Sequence, residues 1–508
     1  MTTSSITAEP GGRLLARNAL YNVLGQALPL VVGLAAIPVT LRSLGEARFG
    51  LLGLAWAILG YVGVLDLGLG RATTKFVAEY VAAGDTERLR RAATLAVASQ
   101  TAMGVIGGAL FALLGPVLAG TVLGVPLALR TEARGMLLAL SLSVPFVVLS
   151  ASLRAILEGA QRFDLVNLIR TPTSAAVLIV PAIAAPLGAD LLTIVLLLLF
   201  VRIASGWATA AVIPRAIPGF RWTLDRRWEA LRPLLGYGGW VSVSNVVSPL
   251  LVYLERFLLA SLAGVAAVAY YTAPYEAVTR LLILPGGLSG ALFPALSAGK
   301  GGPTADGAGS HERLLGRPLR FLLLTLAPLV VLLMVCAGPL LAVWLGPRYA
   351  ARSTTAFSIL AVGVLVNGLA FIPYAYLLGR GRPDLPAKFH LLELPLYVLA
   401  GWQLIRALGV VGAALAWALR VTADAALLAT AVWRLTRVSP ARLLGARGAR
   451  AAVAVAALAA AGAACVVLAP GALARILCAG GVGVAFAAAA WRFVLDDAER
   501  AGLRRVFT

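Results

Sequence analysis

The sequence predicts an all-α polytopic membrane protein of about fourteen transmembrane helices, two six-helix lobes followed by two extra C-terminal helices. Three observations carry this. Of 508 residues, 60% are hydrophobic and only 13% charged, with a mean hydropathy of +0.91. Soluble domains carry about 25% charged residues, so such a chain cannot cover a water-facing surface. The apolar runs are long and rich in Leu, Ala and Val, as spanning helices require, and lack the alternation of a transmembrane barrel.

The apolar runs lie near 18–41, 49–78, 91–115, 135–157, 172–187, 190–213, 235–259, 266–298, 318–342, 354–378, 389–405, 411–433, 451–469 and 473–494. The first is too long for a signal-peptide core and is expected to remain as a span. These divide the chain into a cytoplasmic N-terminus (1–17), an N-lobe (18–213), a cytoplasmic linker (214–234), a C-lobe (235–433), a cytoplasmic loop (434–450), two further spans (451–494) and a cytoplasmic tail (495–508). The N-terminus, the loops after even-numbered spans and the C-terminus exceed the opposite loops in Lys and Arg by roughly threefold. Both termini are therefore expected in the cytoplasm. Arg256 counts with the opposite, external set.

The formal net charge of +21 does not indicate nucleic acid, because the basic residues sit in short loops between spans. The longest loop, GKGGPTADGAGSHERLLGR at 299–317, is too small to fold. No loop carries a GxxxxGK[ST], an HExxH or an acidic metal pair, and the chain has only His311 and His390. No cofactor, metal or catalytic residue is expected. His390 and Glu393 share a helical face and read as structural. Cys336, Cys465 and Cys478 all fall in apolar runs and read as buried, inert thiols without a disulfide framework.

The two halves show a weak repeat. Ser43-Leu44-Gly45-Glu46-Ala47-Arg48-Phe49-Gly50 follows the first span, and Ser261-Leu262-Ala263-Gly264-Val265 follows the seventh. Each half then reaches a Glu-Arg-Leu, at Glu87-Arg88-Leu89 and at Glu312-Arg313-Leu314, before its third span. Parallel six-helix repeats are a transporter architecture, with substrate bound between them.

The same stretches carry a resemblance. Asn18, Asn22 and Gly25-Gln26, then Leu44-Gly45, Phe49-Gly50 and Leu65-Asp66-Leu67-Gly68-Leu69, resemble the start of the bacterial polysaccharide (O-antigen type) flippases. Tyr270-Tyr271-Thr272-Ala273 with Leu292-Phe293-Pro294-Ala295-Leu296-Ser297 resembles the eighth helix of that family, and the likeness covers most of 15–430. This family shares the MOP superfamily with MATE exporters and the flippases for the peptidoglycan lipid precursor. The resemblance implies a V-shaped pair of lobes that moves an undecaprenyl-diphosphate-linked oligosaccharide from inner to outer leaflet by alternating access. H+ or Na+ as a coupling ion and glycan-assembly enzymes are further candidate partners.

Charges within spans must pair or line a wet cavity, since each costs at least about 2.5–3.5 kcal/mol at mid-bilayer. Glu276 and Arg280, and Arg420 and Asp424, stand one helical turn apart, each pair on one face. Arg202 has no acidic neighbour in sequence. Asp66 leads a stripe of Arg71, Lys75 and Glu79 toward the cytoplasmic mouth. Pro285-Gly286-Gly287 is expected to break the eighth span. Arginine suits phosphate oxygens because its fork is bidentate, so Arg280, Arg420, Arg202, Arg71 and Lys75 are candidate diphosphate contacts; the alternative is that the i,i+4 pairs only hold helices together. Asp66, Glu276 and Asp424 are candidate coupling or pairing acids. Asn22 and Gln26, with Asn245 as their counterpart on span seven, line a sugar-binding cavity or make interhelical hydrogen bonds. Trp222, Trp228, Trp344, Trp433 and Trp491 read as an interfacial belt. The rival functions are a MATE-like drug/cation antiporter, a membrane glycosyltransferase or polymerase, and a non-transporting scaffold. Asp190 alone between spans five and six is a poor basis for an enzyme.

Overall fold

In the computed structural model the described residues are 12–66, 69–222, 239–298, 312–438, 440–469, 471–495 and 500, and among them every regular element is helical. Among the described residues, ten helices are long and apolar enough to cross a membrane. The chain divides into two compact units, Met1–Pro249 and Leu250–Thr508.

Unit 1 begins with α1 (Gly12–Tyr61), which holds the first span and the start of the second in one kinked rod. The kink is at Gly45, whose φ of 74° and ψ of 169° a side chain would resist. A 3₁₀ turn at Val62–Asp66 then separates α1 from α2 (Leu69–Ala82). Next come α3 (Thr86–Val117), α4 (Arg130–Gly159), α5 (Phe163–Ala184) and α6 (Leu191–Ala216). Pro172 and Pro181 lie inside α5, which starts earlier than expected, at Phe163. Helices α3 and α4 pack at Gly104 and Gly108. A Cβ there would stand 2.8 Å from Pro145 Cα and 2.7 Å from Ser141 O. Small residues one turn apart let two membrane helices approach at backbone distance, which replaces the hydrophobic drive that lipid cannot supply.

Unit 2 repeats the plan. The helix α7 (Gly239–Ala263) turns at Gly264, φ 86°, into α8 (Val265–Thr279), as α1 turns at Gly45. A 3₁₀ turn at Arg280–Leu282 precedes α9 (Ile283–Ala298). The expected break at Pro285-Gly286-Gly287 is therefore displaced. Pro285 sits in the first turn of α9, where proline's missing N–H leaves no intrahelical bond unmade. Then follow α10 (Arg317–Val335), α11 (Ala337–Leu345), α12 (Pro347–Gly379), α13 (Asp384–Leu408) and α14 (Val410–Thr436). The last two helices, α15 (Pro440–Leu468) and α16 (Ala472–Ala489), pack on α10 through Leu458 and Phe486 against Ala327.

The repeat is sharpest at a corner that sequence comparison did not single out. Between α4 and α5, Arg162 Nε and Nη2 donate to the two oxygens of Asp164 at 3.0 and 2.9 Å. Between α12 and α13, Arg382 does the same to Asp384 at 2.9 and 3.2 Å. Gln161 and Gly381 hold the positive φ before each arginine, 57° and 73°. The amides of Arg162 and Arg382 close the corners on Leu157 O and Leu377 O, each at 2.9 Å. All these positions correspond at one constant offset.

One cysteine expectation is corrected. Cys465 and Cys478 form a disulfide, while Cys336 is free. Helix α16 packs along α15, so two cysteines 13 positions apart come to face each other. Their apolar surroundings hid that pairing.

Candidate functional site

Unit 2 holds a polar network inside its spanning helices, contributed by α7, α8, α13 and α14. Its centre is Glu255-Arg256 on α7, both fully buried. Arg256, counted among the external loop charges in the sequence, lies inside the helix because α7 continues to Ala263. The usable signal was an adjacent acid and base between the apolar stretches Leu250–Val252 and Phe257–Leu259, a costly placement unless both are partnered.

Each partner is present. Glu255 accepts the hydroxyls of Tyr271 at 3.1 Å and Tyr397 at 2.7 Å. Arg256 Nη2 donates to Glu276 Oε1 at 3.0 Å. Its Nε and Nη1 make no hydrogen bond. The guanidinium instead lies between the rings of Tyr253 and Tyr275, 5.4 and 4.8 Å from their centroids, where cation–π attraction offsets the unmade bonds. Tyr275 also packs edge-on against Trp417 of α14.

Glu276 is shared. Its second oxygen accepts from Arg280 Nη2 at 3.2 Å, as the i,i+4 spacing predicts. The two arginines differ in access: the Arg256 side chain is 1% exposed and that of Arg280 38%. Arg280 stands at the 3₁₀ turn that ends α8. Removing it would leave Glu276 still held by Arg256, so the pair is not a simple two-residue strut.

The expected Arg420–Asp424 pair is corrected. Arg420 Nη1 reaches Glu393 Oε2 on α13 at 3.6 Å, and Tyr397 lies under the guanidinium at 6.0 Å. Asp424 is buried on α14, and both Glu393 and His390 interact with it. An i,i+4 spacing places two side chains on one face, but a partner on the packed neighbouring helix can lie closer than one along the same helix. His390 and Glu393, read as merely structural, thus join Arg420 and Asp424 in one buried cluster.

The Tyr270-Tyr271-Thr272-Ala273 motif is wholly buried. Tyr270 O accepts from Ser353 Oγ at 2.9 Å, and its hydroxyl accepts from Arg352 Nη1 at 3.0 Å. Tyr349 donates to Ala269 O beside it. The motif fixes α8 to α12 on one side and supplies Tyr271 to Glu255 on the other.

In unit 1, Arg202 stands on α6 without an ion pair among the described residues, and its Nε is buried without a hydrogen bond. Lys75 pairs with Glu79 at 3.7 Å, both partly exposed. The backbone of Asn22 and Gln26 is in α1, of Asp66 in the 3₁₀ turn, of Arg71 in α2 and of Asn245 in α7. Their side chains lie outside the described residues. Glu132 gathers one end of this unit, accepting from Arg48 Nε at 2.9 Å and from the amide of Leu191 at 3.0 Å. Asp190 caps α6 there. Its hydrogen bonds from Thr193 hold its carboxyl below the ordinary carboxylate range.

Residues 15–300 match the model of the polysaccharide biosynthesis protein family. The chain belongs to that family. A protein of Shigella flexneri provisionally assigned as an O-antigen transporter is 28% identical over 427 residues, 83% of this chain and 98% of that protein. Among solved structures, an inward-facing MATE multidrug-resistance transporter of the MOP superfamily matches with a TM-score of 0.69 and 16% identity, covering 82% of this chain and 99% of its own. The lipid II flippase MurJ, in an inward closed conformation, also matches at 0.69, with 13% identity, covering 93% of this chain and 99% of its own. At these identities the structural likeness shows the fold alone. With its long apolar helices, this family member is an integral membrane protein.

Proposed function

We propose that this chain flips a lipid-linked oligosaccharide, carried on undecaprenyl diphosphate, from the inner to the outer leaflet of the bacterial cytoplasmic membrane for surface polysaccharide assembly. The observation that carries the reading is the match to an O-antigen transporter over 98% of that protein's length. The lipid II flippase matches 93% of this chain where the MATE transporter matches 82%, a longer likeness that agrees with this reading.

In this reading two similar units alternate access to the two leaflets, both termini lie in the cytoplasm, and Arg280 meets the diphosphate. Arg280 is the exposed end of the Arg256–Glu276–Arg280 chain, so its guanidinium can turn to a phosphate while Arg256 keeps Glu276 neutralised. Arg420 is a weaker candidate for the same role, being enclosed with Glu393.

The test is reconstitution of the purified chain in liposomes with a fluorescent undecaprenyl-diphosphate oligosaccharide, scored by accessibility to an external glycan-modifying enzyme. Transfer above that of protein-free vesicles is expected. In cells, deletion should block surface glycan display and leave the lipid-linked unit on the inner leaflet. Drug hypersensitivity with normal surface glycan would instead establish the exporter reading.

A further inference from the structure

The cluster between α13 and α14 sets two carboxyls against one guanidinium, with an imidazole beside them. His390, Glu393 and Tyr397 lie on α13, and Arg420 and Asp424 on α14. Glu393 is 4% exposed, Asp424 7%, and the Arg420 side chain 9%. Neither oxygen of Glu393, nor Oδ1 of Asp424, accepts a hydrogen bond of ordinary geometry, and Arg420 Nε donates none. These are acceptors without donors, enclosed beside a single guanidinium.

The rest of the network cannot supply the missing positive charge. Glu255 is engaged by Tyr271 and Tyr397, and Glu276 by Arg256 and Arg280. Across these residues three guanidiniums face four carboxyls. Where α12 and α8 pack against α14 they present Gly363 and Tyr275 to Trp417. The charged groups acting on Glu393 and on His390 are Asp424 and Arg420. Two ionised carboxylates facing each other in a low-dielectric interior repel, and the arrangement settles when one takes a proton. The protonated carboxyl is then a donor, and its neighbour an acceptor.

We propose that Glu393 and Asp424 share one proton, held beside Arg420, and that this pair exchanges it during the transport cycle. The second half rests on the flippase reading above. The geometry points to a proton and not a sodium ion. Arg420 already occupies the cationic position, and no group of three or more His, Cys, Asp or Glu side chains among the described residues converges as on a metal. Withdrawal of Arg420 toward an anionic substrate would leave two carboxyls without a cation. Substrate binding and proton uptake are therefore linked in both directions.

The first measurement needs no transport. Infrared spectra of the purified full chain at neutral pH should show a protonated carboxyl band. Glu393→Gln and Asp424→Asn should each abolish it, because the remaining carboxylate then pairs with Arg420 one to one, while Glu255→Gln should leave it. No such band in the unsubstituted protein, or a band that survives both isosteric variants, overturns the proposal. In liposomes, the flipping rate should follow an imposed pH difference by up to about tenfold per unit if one proton is exchanged, and Asp424→Asn should flatten that response. Flipping that ignores pH and follows a sodium gradient overturns proton exchange at this pair. Absence of flipping at any pH refutes the proposed function, and the infrared result then decides the shared proton by itself.

Discussion

Tyr397 donates its hydroxyl to Glu255 Oε2 at 2.7 Å, tying α13 to a carboxylate 142 positions earlier in the chain. With Tyr271 on the other oxygen, it lets a buried acid stand within four spanning helices. Tyr397→Phe should lower stability by about 1–3 kcal/mol, the price of one unsatisfied buried acceptor. Adding Tyr271→Phe should cost more than the two singles together, since Glu255 then has no donor hydroxyl. Adding Glu255→Gln to the double variant should recover part of the loss. Thermal unfolding of the purified variants in one detergent measures all of these.

Arg256 and Arg280 touch the same carboxylate and should behave oppositely. Arg256→Ala removes a fully buried partner and should destabilise by roughly 3–5 kcal/mol, seen as loss of monodisperse protein on size-exclusion chromatography. Arg280→Ala should keep the fold, because Arg256 still neutralises Glu276. It should slow flipping at limiting substrate by roughly 10- to 100-fold, the equivalent of one charge-assisted hydrogen bond. Arg280→Lys should recover only part, since an ammonium lacks the fork. An Arg280→Ala protein that is well folded and flips at the normal rate removes Arg280 from substrate contact.

Asp190 carries a pH-dependent contribution whose sign is fixed. Its Oδ1 accepts from the Thr193 amide at 2.9 Å, and these bonds hold its carboxyl below the ordinary range. The stabilisation is therefore present above about pH 4, the ordinary aspartate value, and is lost as pH falls below it through the depressed value. Asp190→Ala should cost about 0.5–2 kcal/mol at neutral pH as a lost helix cap. Asp190→Asn keeps the cap and should remove this part of the acid sensitivity, measured as melting temperature against pH.

Sidedness follows from the basic loops. Single cysteines at Asp85 and Asp306, in a variant lacking the native thiols, should resist an impermeant thiol reagent in intact cells, and one at Glu132 should react. Labelling of the first two from outside would invert the topology.

Much of the architecture was legible because lipid is an unforgiving solvent. A helix must present apolar side chains over its whole spanning length, so spans and the order of two similar halves appear as runs of Leu, Ala and Val. The corners were less legible. Gly45 and Gly264 belong to the repeat visible in sequence, whereas Arg162–Asp164 and Arg382–Asp384 flank unlike residues, Phe163 and Pro383, and correspond through their matching hydrogen bonds.

Sequence by itself determined that this is a helical membrane protein with a doubled plan, that charges lie inside its spans, and that Glu276 and Arg280 share a face. Tertiary structure alone decided which charges meet: Arg420 with Glu393 in place of Asp424, Arg256 inside the unit in place of an external loop, and Cys465 with Cys478. The reason is physical. Hydropathy and one-turn spacing are properties of a single helix and its solvent. A buried charge takes the nearest partner in space, and that depends on how neighbouring helices are rotated and how far each one runs.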